Sequence, residues 1–372
     1  MTRKQLHAAI NWIIKGTIAA FLLFTLYREV VGREDAAALW MAWKQQLHRG
    51  QWQWLFGVLL LLPANWSLES QKWRYLLRPF WRVPFVQAFR AVMIGVSVSL
   101  ITPNRVGEYA GRVLAVPARH NYHAVLAMLA GSYAQLLAIL SIGIIGASYF
   151  MDTLLDGYQL MNLKGWWLAY PAVGMLFIGF FNMSRLTEVF RKLPLPRSIL
   201  RVVLMLRQYN RWQLAVALGL ALARYAVYSL QYYGLILFFG IEAPPTAAFA
   251  GIATIFLIQT SVPLPPALAL LVRGEAALLV WEPYSSNSWG ILAATFGLFI
   301  INLCLPALLG VVFFVKTNVL KSLGYEKNIV QDEPLQRLAD LSHGFRATRK
   351  KGPTHGGSRR PRGSGESLFD RQ

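Results

Sequence analysis

The sequence predicts an all-α polytopic membrane protein, and three observations carry that prediction. Hydrophobic residues make up 55% of the 372 and charged residues only 15%, where a soluble domain carries about a quarter charged. Several apolar runs approach or exceed the ~20 residues that a helix needs to cross a ~30 Å hydrocarbon core. The sequence lacks the ten-residue alternation of a transmembrane barrel. Thirteen Trp and fifteen Tyr fit two membrane–water interfaces, because each ring joins an apolar body to a polar edge.

The first run, Ala8–Tyr27, follows Arg3 and Lys4 as a signal peptide would. It is long for one, and the small residues Ala36–Ala38 lie well beyond it, so it reads as an uncleaved helix. The next strong segments are Trp52–Leu68, Tyr122–Phe150, Trp166–Met183, Trp212–Phe239 and Trp289–Val315. Two further segments are broken. Phe85–Pro103 runs into Thr102-Pro103-Asn104 and a charged stretch. Thr246–Val262 runs into Pro263, Pro265 and Pro266, then into Ala267–Val280, which is interrupted by Arg273 and Glu275. Proline removes a backbone donor and crowds the preceding turn. Broken backbone at membrane depth survives only where protein or a watery cavity satisfies it. Both segments are therefore expected to be proline-broken re-entrant pairs.

Charge orients the chain. The net charge is +20, which in a soluble protein would suggest nucleic acid. Here the positive residues sit between hydrophobic runs and in the tail, so topology and anionic headgroups explain them and no nucleic-acid partner is expected. Lys72, Arg74, Arg78, Arg82 and Arg90 precede or begin the first broken segment, and Arg185 to Arg211 fill the middle loop. Those regions are expected in the cytoplasm. The loops with Asp152 and Asp156, and with Glu282, are expected outside. Threading the chain through these sides makes one broken segment enter from each face, with both termini cytoplasmic in an inner membrane. The two units, each a helix, a broken pair and a helix, then run in opposite senses. That is the pattern of an inverted repeat, in which transporters place substrate at the repeat interface. The expected division is a transmembrane domain over 1–316 and a basic, disordered tail over 317–372. That tail serves either lipid attachment or topology.

The stretch Thr102-Pro103-Asn104-Arg105-Val106-Gly107-Glu108-Tyr109-Ala110-Gly111-Arg112 carries the most chemistry. Arg105, Glu108 and Arg112 share one helical face, and guanidinium groups bind phosphate bidentately. Glu108 would hold an arginine or exchange a proton; the plainer alternative is a loop with a local salt bridge. Upstream, Asn65, Glu69 and Lys72 share a face beside Trp73 and Arg74, as a supporting site or an interfacial helix end. Arg224 lies about twelve residues into its apolar segment, where a central arginine costs roughly 2.5–3.5 kcal/mol on insertion scales. Its partner is a lipid phosphate, Glu275 or Glu108. Tyr228 is near the same face, and Gln135, Gln259 and Asn302 are further polar groups within the apolar runs. Cys304 is the only cysteine and the six histidines lack ligand spacing, so no metal site or cofactor is expected. No motif of an enzyme site emerges.

At these residues the chain resembles the lysylphosphatidylglycerol synthase transmembrane region, also called the flippase-like membrane proteins. The resemblance rests on Asn65…Glu69…Lys72-Trp73-Arg74, on Thr102-Pro103-Asn104-Arg105-Val106-Gly107-Glu108…Arg112, and on the proline-rich segment ending in Arg273-Gly274-Glu275. The last departs from the family's usual form, with Pro265-Pro266-Ala267 where glycines are common. The resemblance implies a membrane domain that moves lipids between leaflets, without the soluble aminoacyl-transfer domain of the synthases. The leading expectation is therefore a translocator of a phosphate-bearing lipid. Arg105, Arg112, Arg224 and Arg273 would bind the phosphate. Glu108 and Glu275 would orient them or couple protons, and Asn65, Glu69, Lys72, Arg74, Gln135 and Tyr228 would support. The rivals are a non-transporting accessory protein that presents lipid to an envelope- or glycan-assembly enzyme, and a transferase using Glu108 or Glu275 as base.

Overall fold

A computed structural model describes residues 35–100, 102, 106–154, 168–191, 196, 204–261 and 266–317, with scattered positions between 13 and 32. Within them the chain is helical, with no strand. The elements are α1 (Ala36–His48), α2 (Trp52–Leu77), α3 (Phe85–Ser99), α4 (Gly107–Leu114), α5 (Asn121–Leu154), α6 (Ala169–Phe181) and α7 (Met183–Arg191). After them come α8 (Arg211–Phe238), α9 (Pro245–Ser261), α10 (Pro266–Trp281), α11 (Ser288–Phe299), a π-helical turn (Ile300–Cys304) and α12 (Leu305–Val315). The expected first helix lies partly outside the described residues, as do Pro103, Arg105, Pro263 and Pro265, and the tail from 318 onward.

Three helical stretches are long and apolar enough to cross a membrane: Ala118–Phe150, Arg211–Phe238 and Ser288–Val315. At 1.5 Å per residue each spans more than about 40 Å. The chain is thus an all-α multi-pass membrane protein, as the composition predicts. Helix α8 begins with a capping box, in which the Asn210 side chain accepts from Gln213 N–H and the Gln213 side chain accepts from Asn210 N–H. It ends in a Schellman turn: Ile241 N–H donates to Ile236 C=O at 3.1 Å and Gly240 N–H to Leu237 C=O at 3.0 Å. Gly240 supplies the φ of +70° that this turn needs.

Helix α2 runs beyond the apolar segment Trp52–Leu68 to Leu77, through Glu69, Lys72 and Arg74, in keeping with the helical face expected for Asn65, Glu69 and Lys72. Those charges do not end the helix, because its buried face supplies partners for Glu69 and Lys72. Two helices also lie where none was expected, α1 and α7. Trp43 of α1 packs against Phe238 and Phe239, with ring centroids 5.4 and 5.1 Å apart.

The broken segments are pairs of short helices. Helices α3 and α4 have 15 and 8 residues, about 22 and 12 Å long, so neither crosses the core alone. Their backbones touch where Gly111 meets Gly95: a Cβ on Gly111 would lie 2.7 Å from Gly95 Cα and 2.7 Å from Ile94 O. Only two glycines permit that approach. Helices α9 and α10, of 17 and 16 residues, form the second pair.

The packing between the two halves is reciprocal. Helices α2 and α8 pack most extensively on each other. The first pair packs through α3 on α12, and the second through α9 on α5. Both crossings use glycine on the long helix: Gly310 against Met93 and Ser97, and Gly146 against Ala250 and Ala253. Ser97 Oγ also donates to Ala307 C=O across the first crossing, at 2.9 Å.

Candidate functional site

A polar network lies inside the bundle, among α2, α4, α5, α8 and the π turn. Glu69 is its centre. Its Oε2 forms ion pairs with Lys72 Nζ at 2.7 Å and Arg224 Nη1 at 3.1 Å, and its Oε1 accepts from Arg112 Nη2 at 2.9 Å. One carboxylate therefore binds cations from its own helix, from α4 and from α8. Arg112 is also bound by Glu108, one turn earlier on α4. Lys72 donates to Gln135 Oε1 at 3.2 Å, which ties α5 to the network.

The amides extend it. Arg224 Nε donates to Asn65 Oδ1 at 3.0 Å, and Asn65 Nδ2 donates to Asn302 Oδ1 at 2.7 Å. Asn302 stands in the π turn for a local reason. Pro306, four residues later, has no N–H for the Asn302 carbonyl, and its ring crowds that carbonyl. A widened turn over Ile300–Cys304 relieves the clash. The arginines also lie over aromatic faces, Arg112 over Trp73 at 5.5 Å and Arg224 over Trp66 at 5.1 Å.

Burial within the network is graded. The side chains of Lys72 and Arg112 are 2% exposed and Glu69 10%, whereas Glu108 and Arg224 are 19% exposed. Access to the network is thus by Arg224 and Glu108. Three cations face two carboxylates here. Three buried donors on these residues, Arg112 Nε, Trp66 Nε1 and Asn302 Nδ2, have no hydrogen-bond partner among the described residues. A buried donor left unpaired costs about 1–3 kcal/mol, so the network has room for an acceptor.

Most of the residues expected at the site meet in this network. Arg112, Arg224, Glu108, Asn65, Glu69, Lys72 and Gln135 are joined. Of the carboxylates expected to pair with Arg224, Glu275 and Glu108 are corrected to Glu69, with Asn65 beside it, because α2 and α8 run side by side. Arg105 lies outside the described residues. Arg74 donates to Gln71 Oε1 at 3.3 Å, apart from the network. Tyr228 stacks on Phe256 at 5.1 Å. Arg273 is half-buried with its guanidinium over Phe299 at 5.8 Å, and Glu275 is exposed. Among the described residues, neither has an ion pair or hydrogen bond to the Glu69 network. Sequence reasoning missed the central place of Glu69 and the two tryptophans. The available signal was the Asn65–Glu69–Lys72 face with Trp66 and Trp73 interleaved. Among the described residues no cluster of three or more His, Cys, Asp or Glu could hold a metal ion.

No curated protein and no solved structure matches the chain. The family model described as the lysylphosphatidylglycerol synthase TM region matches residues 12–310. That range takes in both helix pairs and every residue of the Glu69 network, and the chain belongs to the lysylphosphatidylglycerol synthase transmembrane-region family.

Proposed function

We propose that the chain binds a phosphate-bearing lipid and moves it between the leaflets of an inner membrane, with the headgroup passing the Glu69 network. The single observation that carries this reading is the chemistry of that network. It holds three cations, two carboxylates and three buried donors without a hydrogen-bond partner among the described residues. A phosphate oxygen is the acceptor such a group fits. The family match supports the lipid, since the match is to a synthase's membrane region.

Arg224 is the first contact, as the most accessible cation. Arg112 is held from both sides by Glu69 and Glu108 and becomes available when Glu108 swings away. Glu108 thereby orients Arg112 and is placed to take up a proton on release. Arg105 and Arg273 are the further phosphate ligands, and Glu275 is the equivalent of Glu108 in the second pair. Lys72, Asn65 and Gln135 hold Glu69. The reciprocal packing of α3 on α12 and α9 on α5 supports an inverted repeat with re-entrant pairs entering from opposite faces. Positive-inside loops support cytoplasmic termini.

The test is reconstitution into vesicles with a fluorophore-labelled anionic phospholipid, following its exposure to an external quencher. Wild-type protein should accelerate exposure. Arg224→Gln should slow it by at least about tenfold, the equivalent of one charge-assisted hydrogen bond of roughly 1.5 kcal/mol. Retention of a lipid without acceleration would replace this reading with that of an accessory protein that presents lipid to an envelope-assembly enzyme. A chemically altered lipid would replace it with a transferase.

A further inference from the structure

A second lipid contact is built on the outside of the first helix pair, away from the Glu69 network. A groove of about 420 Å³ opens between the start of α3, the end of α4 and the end of α12. Val86 and Pro84 give it an apolar wall, with buried Ile94 beneath, and Gln87, Arg90 and Thr317 give it a polar rim. Val86, Arg90 and Ile94 lie at i, i+4 and i+8, on one stripe of α3.

The charge at this groove is of one sign. Among the described residues no carboxylate lines it. Arg90 is exposed and lies over the Phe313 ring at 5.8 Å. Among the described residues it has no acidic partner. Arg82 precedes the groove and Lys316 adjoins Thr317, both exposed. Thr317 Oγ1 donates to Phe313 C=O at 3.0 Å, which holds the end of α12 as the groove's far lip.

We propose that this groove seats one anionic phospholipid, its phosphate on Arg90 and the start of an acyl chain against Val86 and Pro84. The occupant is a lipid and not a free anion, because the wall beneath the cation is apolar and the element is a membrane helix. A zwitterionic lipid fits less well, since its amine would sit among Arg82, Arg90 and Lys316. The seat contacts both α3 and α12, so the bound lipid braces the crossing at Gly310. This holds whether or not the Glu69 network carries a headgroup, because the two sites share no residue.

The experiment places a photo-crosslinking amino acid at Val86, in the full chain in nanodiscs. One set holds phosphatidylglycerol and phosphatidylcholine in equal parts. Labelling should favour phosphatidylglycerol by about fivefold, the equivalent of ~1 kcal/mol for one basic residue at the surface. In Arg90→Gln the preference should vanish while total labelling persists, and the Arg224→Gln protein should keep it. Equal labelling of the two lipids by the Arg90 protein would overturn the proposal and leave ordinary boundary lipid. Loss of phosphatidylglycerol labelling on adding millimolar inorganic phosphate would overturn it in favour of a free-anion site. If the Val86 probe unfolds the protein, native mass spectrometry of wild type and Arg90→Gln decides instead, on retention of one phosphatidylglycerol.

Discussion

The two helix pairs share a vocabulary and use it differently. Each has proline, then arginine, glycine and glutamate. In α4 the motif's glutamate, Glu108, binds Arg112 one turn on, and Glu69 of α2 holds the same arginine. In α10, Arg273 has an aromatic face and Glu275 is exposed. The difference follows from the long helix opposite. Helix α2 faces the first pair with Asn65, Glu69 and Lys72, all buried. In the second half, α8 and α11 meet Trp281 of α10 with Tyr232 and Thr295: the Tyr232 and Thr295 hydroxyls are 2.7 Å apart, and the Trp281 indole donates to Tyr232 at 3.3 Å. One half carries a charged centre and the other a neutral one, so a motif's role here is decided by what faces it.

The largest expected effect breaks the charged centre. Glu69→Gln keeps the shape and removes the anion that three cations share. Removing one partner of a buried ion pair costs roughly 3–5 kcal/mol. Thermal unfolding in detergent should show a large fall in midpoint, while Glu275→Gln should stay within about 0.5 kcal/mol of wild type. Equal shifts in the two variants would dissolve the contrast between the pairs.

Next comes the crossing that positions the first pair. A Cβ on Gly310 would run into Met93 O and Ser97 Oγ, and the Met93 backbone cannot swing aside. Gly310→Ala should cost about 1–3 kcal/mol, as overpacking does. Gly146→Ala, its counterpart against Ala253 and Ala250, should cost a similar amount. A large loss in one variant and none in the other would argue against the reciprocal packing that supports an inverted repeat.

How much of this was legible in the sequence depends on range. The apolar runs report helices directly, because twenty apolar residues have few other uses. Spacing reports what shares a helical face, so Asn65 with Glu69 and Lys72, and Glu108 with Arg112, could be grouped from the sequence. It does not report which helix lies opposite. Arg224 pairs with Glu69, not with Glu108 or Glu275, because α8 runs along α2, and nothing local to either residue encodes that. The apolar run of α2 stops at Leu68, and only the spacing of Asn65, Glu69 and Lys72 carries the helix past it, since a helix continues wherever its charges find partners. The π turn lies between these cases. Pro306 signals a disturbed turn four residues upstream, but not that the turn delivers Asn302 to Asn65.

A smaller effect tests that delivery. Asn302→Leu removes the acceptor for Asn65 Nδ2, leaving Asn65 to bond Arg224 alone. Hydrogen bonds between membrane helices average about 0.6 kcal/mol, with a maximum near 1.7, so the midpoint should fall modestly. Asn65→Leu should cost more, since it also strips Arg224 Nε of its acceptor. The two losses should fail to add in the double variant, because both remove one shared bond. Full additivity, measured by unfolding of all three proteins, would mean that the π turn and the charged centre are independent.

The smallest effect has the opposite sign. Gly219 lies within α8, and a Cβ there would meet nothing within 4 Å. Its helical backbone suits alanine, and glycine inside a helix is roughly 0.5–1 kcal/mol less favourable. Gly219→Ala should therefore raise the unfolding midpoint slightly. It should leave lipid movement unchanged if α8 acts as a rigid support for Arg224. If instead the movement needs α8 to bend at that glycine, the same substitution will slow transport while stabilising the protein. Measuring both on one variant separates a helix that only holds its arginine from one that carries it.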